Sequence, residues 1–207
     1  NRIRAHLENS FAGDGGARAV VVGSQTGRFT GRSLREIAET MELPAGDAAV
    51  RLLVEEHPYV LMVYHRATTA AVQRETARRT LEHPRMLVAS DGMYHGPSAH
   101  PRGYGCFARV LRLGVREMGA VTLEEAIHKM SGFPAERFRI RDRGLLRPGY
   151  GADVVIFDPE TVADRATWEE PRLAPVGVDR VIVNGEPIVE RGMPTGALPG
   201  TVLRGRG

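Results

Sequence analysis

Short apolar runs alternate with segments of helical periodicity over the first two thirds of the chain. Residues 17–23 have the pattern of a buried strand, and residues 59–64 are apolar without alternation, which is typical of a strand buried on both faces. Residues 68–82 are rich in Ala and Arg, as in a helix, and residues 86–90 form a third short strand pattern. A strand, a helix and a further strand in this order predict a βαβ unit in a parallel sheet.

Capping signals mark further helices. Ser33 precedes Glu36 and Thr122 precedes Glu125 at the spacing of a capping box, and each pair begins a segment with apolar residues on one face. Residues 47–56 form another predicted helix, which offers three apolar side chains for burial: Ala48, Leu52 and Val54.

The pattern changes from Gly144 onward. Short strand patterns at 154–157, 181–183 and 188–189 are separated by turn residues, and Asn184-Gly185 between two of them is a strong hairpin signal. We therefore predict a small antiparallel β region, followed by an irregular tail that is rich in Gly, Pro and Arg.

Composition is that of an ordinary globular protein, with 42% apolar and 26% charged residues in 207. The sequence lacks a run of about 18 apolar residues, so we expect no membrane helix. The arginines are spread along the chain rather than clustered, which argues against nucleic-acid binding. A single cysteine, Cys106, excludes an internal disulfide and a Cys-rich zinc site. The chain begins at Asn1 without a signal-like segment, so we expect a piece of a longer, cytoplasmic protein.

Asp91 is the strongest candidate for a catalytic residue, because it follows the third apolar run and precedes Gly92. A carboxylate at the C-terminal end of a parallel strand lies where (β/α)8 barrels keep their catalytic groups. Such a carboxylate can orient a zinc-bound water, take its proton and pass that proton to a leaving amine. The alternative is a structural Asp-Gly turn.

Three other residues have a possible role in binding, and two nearby histidines need a separate explanation. Arg102 lies eleven residues beyond Asp91, and its guanidinium can grip a substrate carboxylate through two hydrogen bonds, unless it is an ordinary surface arginine. Ser24 and His65 each follow a predicted strand, so they would line the pocket or simply cap the strand ends. His95 and His100 flank the same loop but lack zinc-site spacing, and loop packing or hydrogen bonding explains them better.

Two stretches, 131–138 and 142–158, resemble the end of a metal-dependent amidohydrolase. Residues 90–92, 100–102 and 107–111, together with Asp158-Pro159-Glu160-Thr161-Val162-Ala163-Asp164, make the chain similar to the D-aminoacylases, or N-acyl-D-amino-acid deacylases. The resemblance covers most of the chain and is strongest from residue 84 onward.

The resemblance implies an α/β fold in two parts: residues 1–143 as the C-terminal part of a (β/α)8 TIM-type barrel, and residues 144–207 as a β-sandwich portion with a tail. A complete barrel needs about 250 residues. The His-x-His pair that begins the family's metal site has no counterpart among the seven histidines here. We therefore expect the N-terminal half, as another segment or chain, to cover the open strand edges and carry most metal ligands.

The resemblance also implies zinc-dependent hydrolysis of N-acyl-D-amino acids, with Asp91 as catalytic acid and base beside the metal and Arg102 on the substrate carboxylate. Two alternatives stay open: a cyclic-amide hydrolase, similar to hydantoinases or dihydroorotases, and a non-catalytic interaction module that retains the fold. No residue of the chain decides which D-amino acid or acyl group would be accepted.

Overall fold

A computed structural model describes residues 2–12, 15–65, 68–92, 94 and 99–204. The chain divides into two compact units, Asn1–Thr69 with Met93–His100 and Ala70–Gly92 with Pro101–Gly207. The predicted domain boundary between residues 143 and 144 stays a prediction.

Within its described residues, the first unit combines four helices with a two-stranded sheet. Its elements are α1 (Arg2–Phe11), α2 (Gly15–Arg18), β1 (Ala19–Ser24), α3 (Leu34–Met41), α4 (Ala45–Glu55) and β2 (Val60–Tyr64). The capping box that begins α3 is formed as predicted, with Ser33 accepting a hydrogen bond from the Glu36 backbone and the Glu36 carboxylate accepting one from Ser33. One face of the sheet packs on α3 and α4 through a buried cluster of Val21, Phe29, Ile37 and Leu52.

The strands of this unit correct two predictions. β1 and β2 pair antiparallel, with Ala19 opposite Tyr64 and Ser24 opposite Val60, so this sheet is not parallel. β2 is only half-buried rather than buried on both faces, because α3 and α4 cover a single face of the sheet. Val54 on α4, which the sequence pattern offers for burial, is instead 71% exposed because it lies on the outer face of its helix.

The second unit begins with helices. These are α5 (Ala70–Glu82), α6 (Arg102–Arg109), a π-helix (Val110–Glu117), α7 (Leu123–Met130) and α8 (Gly132–Arg137). The π-helix continues α6 directly, and α5 approaches it so closely that a Cβ at Gly114 would lie 2.8 Å from the Leu81 side chain. The capping box of Thr122 and Glu125 begins α7 as predicted.

Residues 86–90 do not form the predicted strand. They are extended, but neither described sheet includes them. Among the described residues, segment 86–90 is therefore not paired with β2, and the predicted βαβ unit is wrong. A strand requires a neighbouring strand backbone at about 4.8 Å. In this segment Met86 N and Val88 N instead donate to the carbonyls of His83 and Lys129.

Three arginines of α6 and the π-helix hold residues 159–164, which follow the first strand of the C-terminal β region. Arg112 Nε lies 2.7 Å from Asp164 Oδ1, and Arg109 approaches the same carboxylate at 3.3 Å. Arg116 donates to the carbonyls of Pro159 and Val162. Burial raises the pKa of Asp164, but the Arg112 hydrogen bond and the two arginine charges outweigh it and hold that pKa below its ordinary value.

The C-terminal sheet is antiparallel and has the order β3 (Val154–Phe157), β4 (Val178–Val183), β5 (Glu186–Glu190) and β6 (Met193–Pro194). Asn184 and Gly185 connect β4 to β5 with φ values of 50° and 85°. Two successive positive φ values define a type I′ turn, so the predicted hairpin is confirmed. The described residues form one sheet here, and the second layer of a sandwich stays a prediction.

Among the described residues, no helix has the length and apolar content needed to cross a bilayer.

Candidate active site

Asp91 follows the extended segment 86–90 and has a left-handed backbone, with φ at 46°. Aspartate tolerates this conformation better than most residues, and such strained positions cluster at functional sites. Its carboxylate is 80% exposed, so solvent reaches it. The backbone N–H of Gly92 donates to Ser90 Oγ at 3.3 Å and closes the turn around Asp91.

Arg102 is the first residue of α6 and reaches back to Asp91 through two contacts. Its Nη2 lies 2.7 Å from Asp91 Oδ2, and its Nε donates to the main-chain carbonyl of Asp91 at 2.7 Å. The structure therefore brings together the two strongest candidates from the sequence. It also gives Arg102 a task that sequence reasoning missed, which is to hold both the side chain and the backbone of Asp91.

Two further residues attach the 86–90 segment to helices. The main-chain carbonyl of Lys129 on α7 accepts a hydrogen bond from Val88 N at 3.1 Å. The thiol of Cys106 on α6 donates to the carbonyl of Ala89 at 3.4 Å. Burial raises the pKa of the Cys106 thiol, so this group is protonated at neutral pH and serves as a donor. The sequence carried no signal for either contact, because both partners are distant in the chain.

Ser24 and His65 do not come together. Ser24 ends β1 opposite the start of β2, whereas His65 follows the end of β2 and donates its backbone N–H to Arg18, beside the start of β1. A strand rises about 3.3 Å per residue, so the antiparallel order places these residues at opposite ends of the sheet. Ser24 is buried and His65 is exposed. Their assignment to a substrate pocket stays a prediction.

Glu56 is a buried carboxylate that the sequence did not reveal. It is 2% exposed, and its two oxygens accept hydrogen bonds from Thr26 N at 2.8 Å and Thr26 Oγ1 at 2.7 Å. The hydrogen bond from the Thr26 backbone, followed by the one from the Thr26 hydroxyl, holds the pKa of Glu56 below its ordinary value. Ser24 contributes more weakly in the same direction. Glu56 therefore fixes the loop after β1.

The described residues around Asp91 form no metal site. His95 lies outside the described residues, and His100 is half-buried. Within the described part of the chain, no group of three or more His, Cys, Asp or Glu side chains is placed to hold a metal ion. Asp91, paired with Arg102, offers a single carboxylate, so these residues do not by themselves fit a metal centre.

The family of the chain follows from its sequence as a whole. A model of the amidohydrolase family matches residues 6–189. The chain therefore belongs to the amidohydrolase family. It is 41% identical over 174 residues to an N-acyl-D-glutamate deacylase of Alcaligenes xylosoxydans xylosoxydans, covering 84% of this chain and 33% of that protein. It is 45% identical over 117 residues to a D-aminoacylase of the same organism, covering 56% of this chain and 24% of that protein.

Solved structures show the same relationship. A D-aminoacylase that defines a novel subset of amidohydrolases matches with a TM-score of 0.78 and 34% identity, over 90% of this chain and 38% of that one. The N-acyl-D-glutamate deacylase of Bordetella bronchiseptica, complexed with zinc and a phosphonate mimic of the tetrahedral intermediate, matches with a TM-score of 0.76 and 38% identity, over 90% and 37%. The resemblance to D-aminoacylases is thus confirmed, and the chain has the amidohydrolase fold over about a third of the relatives' length.

Proposed function

We propose that this chain supplies part of the active site of an enzyme that hydrolyses N-acyl-D-amino acids to a carboxylic acid and a D-amino acid. The observation that carries the proposal is the contact between Asp91 and Arg102, a carboxylate and a guanidinium on one exposed turn. The similarity to deacylases of D-glutamate and other D-amino acids supports the substrate class.

In this proposal Asp91 moves the proton. It takes a proton from the attacking water, and the resulting hydroxide adds to the amide carbonyl carbon. The C–N bond then breaks as Asp91 returns the proton to the leaving nitrogen, so that a neutral amine departs and the carboxylate is regenerated. The exposure of Asp91 allows water and substrate to reach it.

Arg102 would recognise the α-carboxylate that every N-acyl amino acid carries. A guanidinium presents its five N–H donors in a planar fork whose geometry matches a carboxylate, so Arg102 is the proposed partner of this substrate group. The reacting amide would then lie next to Asp91. Ser24 and His65 are proposed as further contributors to the substrate pocket.

The remaining parts of the site would come from the N-terminal region of the same protein, as a further segment or chain. Zn²⁺ is the proposed cofactor, because the related deacylase of Bordetella bronchiseptica was solved with zinc. Asp91 would contribute at most one carboxylate to that metal, so the other ligands are assigned to residues beyond those described here.

A second candidate is hydrolysis of a cyclic amide. It is favoured by 34% identity over 91 residues to a dihydroorotase of Lactobacillus acidophilus. The two candidates differ in substrate rather than in bond chemistry, since both break an amide.

One experiment separates these functions. The full-length protein is assayed with zinc for release of amine from N-acetyl-D-glutamate, N-acetyl-D-aspartate and neutral N-acetyl-D-amino acids, each beside its L enantiomer, and for ring opening of dihydroorotate and hydantoin. We expect turnover of the linear D substrates, loss on chelation and recovery with Zn²⁺. Ring opening alone would favour the second candidate, and zinc-loaded protein inactive on every substrate would favour a non-catalytic module.

A further inference from the structure

Lys129 is the only lysine among the 207 residues, and it lies on α7 with just 7% of its surface exposed. A lysine is rarely buried to this extent unless its ammonium group has a partner. Nζ donates to the main-chain carbonyl of His83 at 2.7 Å. His83 comes directly after α5, where helix carbonyls lack intrahelical partners and carry partial negative charge.

Lys129 also holds the following segment by its backbone. Its own carbonyl accepts a hydrogen bond from Val88 N at 3.1 Å, and the His83 carbonyl that receives Nζ also accepts one from Met86 N at 3.1 Å. One residue of α7 therefore reaches both ends of the stretch 83–88, through its side chain at one end and its main chain at the other.

The segment that leads to Asp91, residues 86–90, lacks strand pairing in the described sheets. Residues 86–90 belong to neither described sheet, so no ladder of strand hydrogen bonds sets their register. Val88, three residues before Asp91, is anchored by the Lys129 carbonyl. The position at which Asp91 emerges beside α6 thus depends on where α7 holds Val88, together with the α6 contacts of Cys106 with Ala89 and of Arg102 with Asp91.

We propose that Lys129 is a positioning residue for Asp91. Its ammonium group connects the end of α5 to α7. Its main-chain carbonyl anchors Val88 in the segment that leads to the Asp91 carboxylate. This inference rests on the proposed function, because Asp91 is the proton-transfer group there.

The test compares Lys129→Met with the unmodified full-length protein. Methionine has a similar length and no charge, and the His83 carbonyl keeps its hydrogen bond from Met86 N, so the substitution leaves that buried acceptor with a partner. We expect Tm to be retained while kcat for the best N-acyl-D-amino acid falls about 10- to 100-fold, the loss expected from a misplaced catalytic group. KM should stay unchanged. Amide hydrogen exchange of residues 86–91, measured without substrate, should become faster.

Two matched variants distinguish positioning from general packing. Lys129→Arg keeps a donor and should recover part of the lost kcat. Ala126→Gly lies one turn earlier on α7 at a fully buried site, so it weakens packing without removing either contact of Lys129, and its kcat should match the unmodified protein. Equal kcat losses in Lys129→Met and Ala126→Gly would overturn the proposal, as would native exchange and native kcat in Lys129→Met. Faster exchange supports the anchoring even if the protein hydrolyses no N-acyl amino acid, a result that overturns the proposed function alone.

Discussion

Replacing Arg102 by alanine tests whether this residue serves the substrate, Asp91 or both. The substitution removes two contacts of 2.7 Å, one with the Asp91 carboxylate and one with the Asp91 main-chain carbonyl. It leaves Asp91 in a left-handed backbone with φ at 46° and without the group that holds it there. Asp91 is then free to relax and carry its carboxylate away from the substrate.

The structure sets the size of each effect. Because the Asp91 carboxylate is 80% exposed, its ion pair with Arg102 contributes only about 0–1 kcal/mol to stability. The overall fold should therefore survive with a small change in Tm. A hydrogen bond to a charged group contributes about 1.5–3 kcal/mol, so loss of the substrate contact should raise KM roughly 10- to 100-fold for carboxylate-bearing substrates. Release of Asp91, whose strained backbone stores about 1–3 kcal/mol, should also lower kcat about tenfold.

The assay uses two kinds of substrate with the zinc-loaded full-length protein. An N-acyl-D-amino acid reports both roles of Arg102, whereas an N-acyl amine without the carboxylate reports only the placement of Asp91. Arg109→Ala is the matched control, since Arg109 ends the same helix, is 60% exposed and pairs with Asp164 instead. Arg102→Lys keeps the charge but not the planar fork, so it should recover KM better than kcat.

The same two substrates also give the results that would contradict each proposed role of Arg102. Unchanged kcat on both, with KM raised only for the carboxylate-bearing one, would show that Arg102 does not position Asp91. Unchanged KM for the N-acyl-D-amino acid would remove Arg102 from substrate recognition. If Arg109→Ala lowers kcat as much as Arg102→Ala does, the effect belongs to α6 as a whole.

Three further predictions concern single sites. Asp91→Asn keeps a residue that tolerates the left-handed backbone and should lower kcat at least about 100-fold with little change in Tm, so retention of a tenth of kcat would end the assignment. Asp164→Asn should destabilise the protein by about 1–3 kcal/mol at pH 7. Because the pKa of Asp164 is lowered in the folded state, the stability that its carboxylate contributes is complete above the unfolded pKa of about 3.9 and is lost as pH falls through the folded pKa. The difference in Tm between the unmodified protein and Asp164→Asn should therefore shrink below about pH 4. A difference that stays constant with pH would contradict this account. Gly177→Ala places a Cβ 2.4 Å from Val162 N at a φ of 76°, and its cost in thermal unfolding should exceed that of Gly149→Ala, where φ is 86° but the space is open and about 1–2 kcal/mol is expected.

Local sequence determined the elements whose hydrogen bonds join near neighbours. The capping boxes that begin α3 and α7 and the Asn184-Gly185 turn all form as the sequence predicts. In each case the interacting groups are at most three residues apart, so their geometry depends little on the rest of the fold. Membership of the amidohydrolase family was likewise visible in the motifs from residue 131 onward.

Tertiary structure decided everything that depends on distant partners. Apolar runs indicated strands, but only the fold made β1 and β2 antiparallel and left residues 86–90 outside both described sheets. The sequence singled out Asp91 and Arg102 separately, whereas their contact and the buried anchor at Lys129 exist only in three dimensions. Pairing and burial arise from contacts between residues tens of positions apart, and a pattern within one short window carries no information about which distant backbone will meet it.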